Sequence, residues 1–236
     1  MRWTLLIPAK ALPAAKSRLA DASSDTAAHA RLVEAIRADT VAAAEAVPDV
    51  ARIVLVHDRP VPVAAHTPDS PERHVFVQRT PGLNAGLDEA ARQAHASWPG
   101  DGVAVLVADL PALRSAQLAA ALAAAAAHPR AFVADAQGTG TTLLTAAPGT
   151  ALDPLFGEDS ARRHAVDAAR LVAGAGLRRD VDTPQDLRAA AELGVGAWTA
   201  AVLAAARPAD AAGGDTVRST SRGMMHGMND LCRPEA

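Results

Sequence analysis

The stretch VAVLVADLP, residues 103–111, contains the two features around which the rest of the chain is arranged. Its first six residues form a continuous apolar run, which is typical of a strand buried on both faces of a parallel sheet. The run ends at Asp109, and Pro111 restricts the turn that follows. Ligands of open α/β sheets bind outside the carboxyl ends of the strands. We therefore expect Asp109 at the mouth of a binding site.

Two interpretations of Asp109 are open at this point. A carboxylate in such a position can bind a hard divalent cation, with magnesium the expected ion, shared with the phosphates of a substrate. Aspartate also forms turns by accepting hydrogen bonds from nearby backbone groups. The residue alone does not separate the two.

Short apolar runs and helical periodicities alternate along the rest of the chain. Strands are predicted at residues 3–7, 51–56, 75–77, 103–108, 131–134 and in a run ending at Asp180-Val181-Asp182. Helices are predicted at residues 26–46, 85–96, 115–127, 160–173, from Thr183-Pro184 onward, and at 198–206. This alternation predicts an α/β fold with a mostly parallel central sheet and helices on both faces.

We predict a single domain over residues 1–206 and a disordered tail over residues 207–236. The tail mixes Pro, Gly, Ser, Thr and charged residues without apolar periodicity. At 236 residues the chain suits one α/β domain with accessory segments. Aromatic residues make up only 3% and tyrosine is absent, so the core must consist mainly of Ala, Val and Leu.

Composition also argues against several classes of protein. A net charge of −3 provides no basic surface for nucleic acid. The single cysteine, Cys232, excludes a disulfide framework and a cysteine-based metal site. The first residues do not have the pattern of a signal peptide, and no apolar segment approaches the length of a membrane span. We therefore expect a cytoplasmic protein with no membrane or nucleic-acid partner.

The only two lysines of the chain, Lys10 and Lys16, follow the first predicted strand together with Arg18. An ammonium group and a guanidinium fork suit the phosphates of a nucleoside triphosphate. A solvated basic loop would have the same composition, so this segment alone does not decide between the two.

The pair Asp180 and Asp182 is a second candidate metal site. Residues two apart on a strand face the same side, and two like charges so close need a cation or hydrogen-bond donors to neutralise them. The next residues have a structural explanation instead. Thr183 suits an N-cap, Pro184 the first helical position, and Asp186 the partner residue of a capping box.

Two further segments could bind a ligand through backbone and hydroxyl groups. In Gly138-Thr139-Gly140-Thr141-Thr142 the glycines permit close backbone approach, although a turn between two strands explains them equally well. Phe156-Gly157-Glu158-Asp159-Ser160 precedes a predicted helix whose free N–H groups could bind an anion, or which Asp159 or Ser160 could simply cap. His164 lies one turn beyond Ser160, and a packed or surface role is expected for it.

Together these segments resemble the guanylyltransferases of coenzyme F420 biosynthesis, which activate 2-phospholactate or phosphoenolpyruvate with GTP. The matching segments occur in family order and cover residues 4–195. They are Pro8-Ala9-Lys10, Ala15-Lys16-Ser17-Arg18-Leu19, Leu83-Asn84, Ala108-Asp109-Leu110-Pro111, Gly138-Thr139-Gly140-Thr141, Phe156-Gly157 with Ser160 and His164, and Asp180-Val181-Asp182-Thr183-Pro184. The resemblance implies the nucleotide-diphospho-sugar transferase (GT-A-like) fold.

The resemblance also implies the roles of individual residues. Magnesium would bind Asp109 and Asp180, and the phosphate and carboxylate of the acidic substrate would bind Thr141, Gly157 and Ser160. The catalytic set would be Lys10, Lys16, Arg18 and Asp109, with the two lysines and the arginine on the GTP phosphates. Asn84 would belong to the nucleotide pocket. The chain departs from the family in one respect, because residues 78–82 lack the expected acidic character.

The run Phe132-Val133-Ala134-Asp135, followed closely by Gly138, is most similar to the branch that uses phosphoenolpyruvate. 2-Phospholactate and 3-phosphoglycerate are the alternatives. A downstream transferase of the F420 pathway is a further partner that the resemblance implies.

Three rival functions are weighed against this one. Nucleotidyltransferases acting on molybdopterin or sugar phosphates usually carry a glycine-rich loop after the first strand, where this chain has Pro8-Ala9-Lys10. A non-catalytic nucleotide-binding module would be expected to lose the carboxylates that this chain keeps. A nicotinamide dehydrogenase would carry the dinucleotide fingerprint, which the chain lacks.

Overall fold

The computed structural model describes residues 1–9, 26–61 and 70–206. Within these ranges seven strands form one sheet: β1 (Trp3–Pro8), β2 (Val50–His57), β3 (Glu72–Val77), β4 (Gly102–Leu106), β5 (Arg130–Ala134), β6 (Thr141–Ala146) and β7 (Ala169–Arg170). The helices in the same ranges are α1 (Thr26–Glu45), α2 (Leu83–Ser97), α3 (Ser115–Ala125), α4 (Ser160–His164), α5 (Ala175–Arg178), α6 (Pro184–Leu193) and α7 (Ala197–Ala205). Lys10, Lys16 and Arg18, and the predicted tail over 207–236, lie outside the described residues.

The sheet is mostly parallel, as predicted. Its strand order is β3-β2-β1-β4-β6-β5-β7. β1 pairs in parallel with β2 and β4, β2 with β3, and β5 with β7, whereas β6 runs antiparallel to both of its neighbours. Residues 138–140 therefore belong to a turn between two strands, and β6 is a strand that was not among the predicted elements.

Alternation of side chains along the central strands divides the core into two layers, because successive residues of a strand face opposite sides of the sheet. Leu5 and Ile7 of β1 pack in the layer that contains Leu118 of α3. Leu6 packs in the layer that contains Leu87 of α2. This confirms that helices cover both faces.

The predicted helix over residues 160–173 is wrong, because α4 ends at His164. The chain then turns back and adds β7 to the sheet beside β5, where Leu171 N–H donates to the Phe132 carbonyl at 2.8 Å. Pairing with the strand satisfies backbone groups of β5 that would otherwise lie at an open edge. Val166 and Val172 are exposed, so the apolar residues of this segment do not form a helical stripe facing the core.

The predicted strand ending at Asp180-Val181-Asp182 is also wrong. The short helix α5 occupies the preceding residues, and Gly176 packs so tightly that an added Cβ would lie 2.2 Å from the Ala112 carbonyl oxygen. Residues 180–182 follow in a segment without regular secondary structure, outside the sheet. Val181 is fully buried while Asp182 is exposed.

The C-terminal helix α7 is joined to α1 through a buried carboxylate. Asp39 of α1 accepts hydrogen bonds from the N–H groups of Trp198 (3.1 Å) and Thr199 (2.8 Å) at the start of α7.

Among the described residues no single helix is both long and apolar enough to cross a membrane, although α6 and α7, bent by 120°, pass by length and composition when taken together.

The capping box predicted at the start of α6 is confirmed and can be tested. Thr183 Oγ1 accepts a hydrogen bond from Asp186 N–H at 3.2 Å, and Asp186 Oδ2 accepts one from Thr183 N–H at 3.0 Å. We expect Thr183→Ala to lower the free energy of unfolding by about 1 kcal/mol, and the melting temperature by about 2–4 °C in a chain of this size. Thr183→Ser keeps the hydroxyl and should lie near the wild type. Equal losses in the two variants, measured by urea and thermal unfolding, would contradict the cap assignment.

Candidate functional site

The carboxyl ends of the parallel strands meet at one edge of the sheet, which we call the carboxyl edge. Asp58, Gln78, Asp109 and Asp135 follow β2, β3, β4 and β5 there. Because β6 runs in the opposite direction, its first residue, Thr141, lies at the same edge. Residues predicted from distant parts of the sequence are thus brought to one region.

Asp109 and Asp180 form the acidic part of this region. The Val181 N–H donates to the Asp109 carbonyl at 3.1 Å, which holds the Asp180 segment against the end of β4. Burial, followed by the negative charges of Asp109, Asp182 and Asp135, raises the pKa of Asp180 to about 7. A cation would relieve this repulsion, so the electrostatics of the pair fit a divalent metal ion.

The protein by itself supplies few ligands to such an ion. Across residues 1–9, 26–61 and 70–206, no group of three or more His, Cys, Asp or Glu side chains is arranged to hold a metal. Magnesium is commonly bound by one or two carboxylates, with substrate phosphates and water completing its coordination. Asp109 and Asp180 fit that pattern of binding.

The side chain of Asp135 stabilises a turn at the carboxyl edge. Its carboxylate accepts three backbone hydrogen bonds, from Gly138 N–H (2.6 Å), Thr139 N–H (2.9 Å) and Gly140 N–H (2.7 Å). A Cβ on Gly140 would lie 2.4 Å from Asp135 Oδ2, so the close approach requires glycine there. Arg178 of α5 donates to the Asp135 carbonyl at 2.7 Å. The roles of Asp135 and Arg178 were not predicted, although an aspartate shortly before two glycines is a signal for a turn.

Two contacts join the turn and Thr141 to α4, the helix that begins at Ser160 and follows Gly157. The Ala161 N–H donates to the Thr139 carbonyl at 2.9 Å, and Thr141 Oγ1 lies 2.9 Å from His164 Nδ1. The register of β4 with β6 continues through the Val107 N–H, which donates to the Thr142 carbonyl at 3.0 Å. That register sets Thr141 close to the end of β4 and hence to Asp109.

The start of α4 differs from the sequence-based expectation. With five residues, α4 is too short to build the helix dipole on which an anion site would depend. Capping by Asp159 is also wrong, because this residue has a φ of 54° and its side chain makes no capping hydrogen bond. Gly157 has a φ of +119°, which L residues rarely adopt, so the backbone path before Ser160 requires glycine.

Asn84 connects two parts of the candidate site. Its amide nitrogen donates to the Phe156 carbonyl at 3.0 Å, and its amide oxygen accepts from the Phe156 N–H at 2.8 Å. Asn84 therefore fastens the segment before Gly157 to the first turn of α2. The predicted contact of Asn84 with a nucleotide stays a prediction, since the contacts just described are to the protein itself.

A cavity of about 360 Å³ opens at the ends of β1, β2 and β3. It is lined by Pro8, Val56, Asp58, Gln78, Arg79, Thr80, Pro81, Gly82 and Leu83. The Glu89 carboxylate holds one wall by accepting hydrogen bonds from Arg79 N–H (2.9 Å) and Thr80 Oγ1 (3.0 Å). Asp58 contributes a carboxylate to this cavity. Residues 78–82, which also line it, contain no acidic side chain.

Comparison with proteins of known sequence identifies relatives over most of the chain. Residues 3–187 match the family described as "Guanylyl transferase CofC like". A protein of Geodermatophilus obscurus named phosphoenolpyruvate guanylyltransferase is 52% identical over 222 residues, covering 87% of this chain and 96% of the relative. A protein of the same name from Thermomonospora curvata is 47% identical, covering 92% and 95%. One from Streptomyces coelicolor is 49% identical, covering 86% and 97%.

Solved structures agree with this result at the level of the fold. A candidate nucleotide-diphospho-sugar transferase from Desulfovibrio desulfuricans G20 superposes with a TM-score of 0.56 at 18% identity, covering 79% of this chain and 85% of that one. The observed sheet, with helices on both faces, is thus the predicted nucleotide-diphospho-sugar transferase fold. From the extent of the sequence match and the identity to these relatives, we conclude that the chain belongs to the CofC-like guanylyl transferase family.

Proposed function

We propose that the protein is a nucleotidyltransferase of coenzyme F420 biosynthesis that condenses GTP with phosphoenolpyruvate. The products are enolpyruvoyl-2-diphospho-5'-guanosine and pyrophosphate. The observation that carries the proposal is the placement of Asp109, Asp180 and Thr141 at one edge of the sheet, next to a cavity that can receive a base. Relatives that are 47–52% identical and named phosphoenolpyruvate guanylyltransferase support the choice of acid over 2-phospholactate and 3-phosphoglycerate.

The acidic substrate belongs at the turn and the start of α4. Thr141 Oγ1 and the backbone around Gly157 and Ser160 offer hydrogen-bond donors for its phosphate and carboxylate. Asn84 and His164 accept hydrogen bonds from the N–H groups of Phe156 and Leu155, which hold the backbone just before Gly157 in place before the substrate arrives. Such preorganisation favours in-line attack, since little entropy remains to be lost in the reactive complex.

The nucleotide belongs at the ends of β1 to β3. The cavity beside Leu83 is of the size that small-molecule sites occupy, and the Asp58 carboxylate could accept hydrogen bonds from the N–H groups of guanine. Lys10, Lys16 and Arg18 follow β1 in the sequence, and we assign them to the triphosphate.

The reaction requires no covalent intermediate with the protein. A phosphate oxygen of phosphoenolpyruvate attacks the α-phosphorus of GTP, and the bond from that phosphorus to the β-phosphate oxygen breaks to release pyrophosphate. Asp109 and Asp180 would hold Mg²⁺, which supplies charge neutralisation to the reacting phosphates. Lys10, Lys16 and Arg18 steady the charge on the departing pyrophosphate.

Pyrophosphate release provides the direct test of the proposed function. We expect release from GTP and magnesium with phosphoenolpyruvate, with less or none when 2-phospholactate or 3-phosphoglycerate replaces it. ATP and CTP in place of GTP, and EDTA in place of magnesium, are the controls and should abolish most of the signal. Preference for another acid would correct the substrate. No release with any combination would favour a nucleotide-binding module, or a protein that needs its downstream transferase to remove the product.

The metal assignment is tested by Asp109→Asn, which removes one negative charge but keeps the size of the side chain. We expect turnover to fall at least about 100-fold with the fold intact, because charge stabilisation at the reacting phosphates is lost. Asp49→Asn is the matched control, since Asp49 is exposed and precedes the amino end of β2 at the opposite edge of the sheet. Near-normal turnover of Asp109→Asn with magnesium would refute the assignment.

A further inference from the structure

His164 lies between Thr141 and Leu155, in the region proposed to bind the acidic substrate. Its Nε2 accepts a hydrogen bond from the Leu155 N–H at 2.9 Å, and its Nδ1 lies 2.9 Å from Thr141 Oγ1. The imidazole is fully buried. The Phe156 ring packs edge-on against it at a centroid distance of 5.3 Å, and the Phe132 ring lies at 6.0 Å. The ring is thus held from several sides in one orientation.

These two contacts determine which nitrogen carries the proton. A backbone N–H can only donate, so Nε2 must present its lone pair to Leu155. In a neutral imidazole the proton is then on Nδ1, and Nδ1–H donates to Thr141 Oγ1. The hydroxyl oxygen is consequently an acceptor towards His164, and its own O–H must point away from the ring.

The surroundings keep the ring neutral. Burial, followed by the positive charges of Arg130 and Arg163, lowers the pKa of His164 to about 4, and Asp167 opposes this only in part. Asp167 is itself paired with Arg130. A protonated ring would have two N–H groups and could not accept the Leu155 hydrogen bond, so geometry and charge agree.

We propose that His164 is a positioning residue that makes the Thr141 hydroxyl a hydrogen-bond donor to the anionic group of the acidic substrate. The inference rests on the proposed function for the identity of that substrate. His164 does not touch the reacting atoms in this proposal. It acts by fixing the rotation of one hydroxyl, and it anchors the Leu155–Gly157 segment with its other nitrogen.

Two substitutions separate the two nitrogens. In His164→Asn the amide nitrogen occupies the place of Nδ1 and can still donate to Thr141, whereas the Leu155 hydrogen bond is lost. In His164→Gln the amide oxygen occupies the place of Nε2 and can still accept from Leu155, whereas the donor to Thr141 is lost. We expect His164→Gln to raise the KM for phosphoenolpyruvate about tenfold, the value of one hydrogen bond to a charged group. The KM for GTP should change little, and His164→Asn should raise the KM for phosphoenolpyruvate clearly less than His164→Gln does, because it keeps the donor to Thr141 and loses only the Leu155 hydrogen bond.

A double-mutant cycle with Thr141 keeps the test independent of general damage to the fold. Thr141→Val alone should raise the KM for phosphoenolpyruvate, and it should add much less in the His164→Gln protein, because the hydroxyl is already misdirected there. Additive effects, or equal changes in the KM for both substrates, would overturn the proposal.

The protonation state can be observed without any activity measurement. In protein labelled with ¹⁵N-histidine, NMR correlation of ring protons and nitrogens should identify one of the eight histidines as a neutral ring protonated on Nδ1 at pH 7. The signal is assigned by its absence in His164→Asn. Protonation on Nε2 would refute the inference even if the proposed enzyme activity is confirmed. The expected tautomer would support it even if another acid is the substrate.

A dependence of stability on pH follows from the same neutral ring. The folded-state pKa of about 4 lies below the ordinary histidine pKa of 6.5, so the unfolded chain binds more protons between these values and stability is lost as the pH falls through this window. The contribution of one such group is at most about 1.4 kcal/mol per pH unit. The free energy of unfolding of His164→Asn should therefore fall less steeply between pH 6.5 and 4 than that of the wild type. Parallel curves would count against a neutral His164.

Discussion

The carboxylate of Asp135 stabilises the reversal of the chain that positions the proposed acid site, Thr141, Gly157 and Ser160. By accepting hydrogen bonds from three successive N–H groups, it closes the turn that carries β6 back between β4 and β5. This antiparallel strand begins where its parallel neighbours end, so Thr141 comes to lie near Asp109. α4 then packs on the outside of the turn through the Thr139 carbonyl. The turn thus positions Thr141 at the start of β6 and Ser160 at the start of α4.

Leu155 and Phe156, the two residues before Gly157, are each held by a side chain from a different part of the fold. His164 binds the N–H of Leu155, and Asn84 binds both backbone groups of Phe156. Since Asn84 belongs to the helix whose start borders the cavity, it links the proposed nucleotide site to the proposed acid site. Donors fixed in this way can stabilise charge with little reorganisation, which is how electrostatic catalysis of phosphate chemistry operates.

Sequence-based prediction succeeded where local patterns matched the tertiary environment. The run ending at Asp109, the long α1 and the capping box at Thr183 were all predicted with small errors at their ends. It failed at residues 160–173 and 180–182, where the local structure differs from the one that the local sequence pattern favours. Residues 169–170 pair with the edge of β5 in the first case, and in the second the residues before Asp180 form the short helix α5, whose Gly176 packs closely on Ala112.

The fold class, the family and the candidate polar residues could be predicted from the sequence, because apolar runs and the order of short motifs are local features of the chain. The contacts between those residues depend on the folded arrangement of the chain. It assigned Asp135 to the turn, gave Asn84 a backbone partner 72 residues away and placed His164 Nδ1 beside Thr141. Hydrogen bonds of this kind join residues far apart in the chain, and no local periodicity or propensity encodes which donor meets which acceptor.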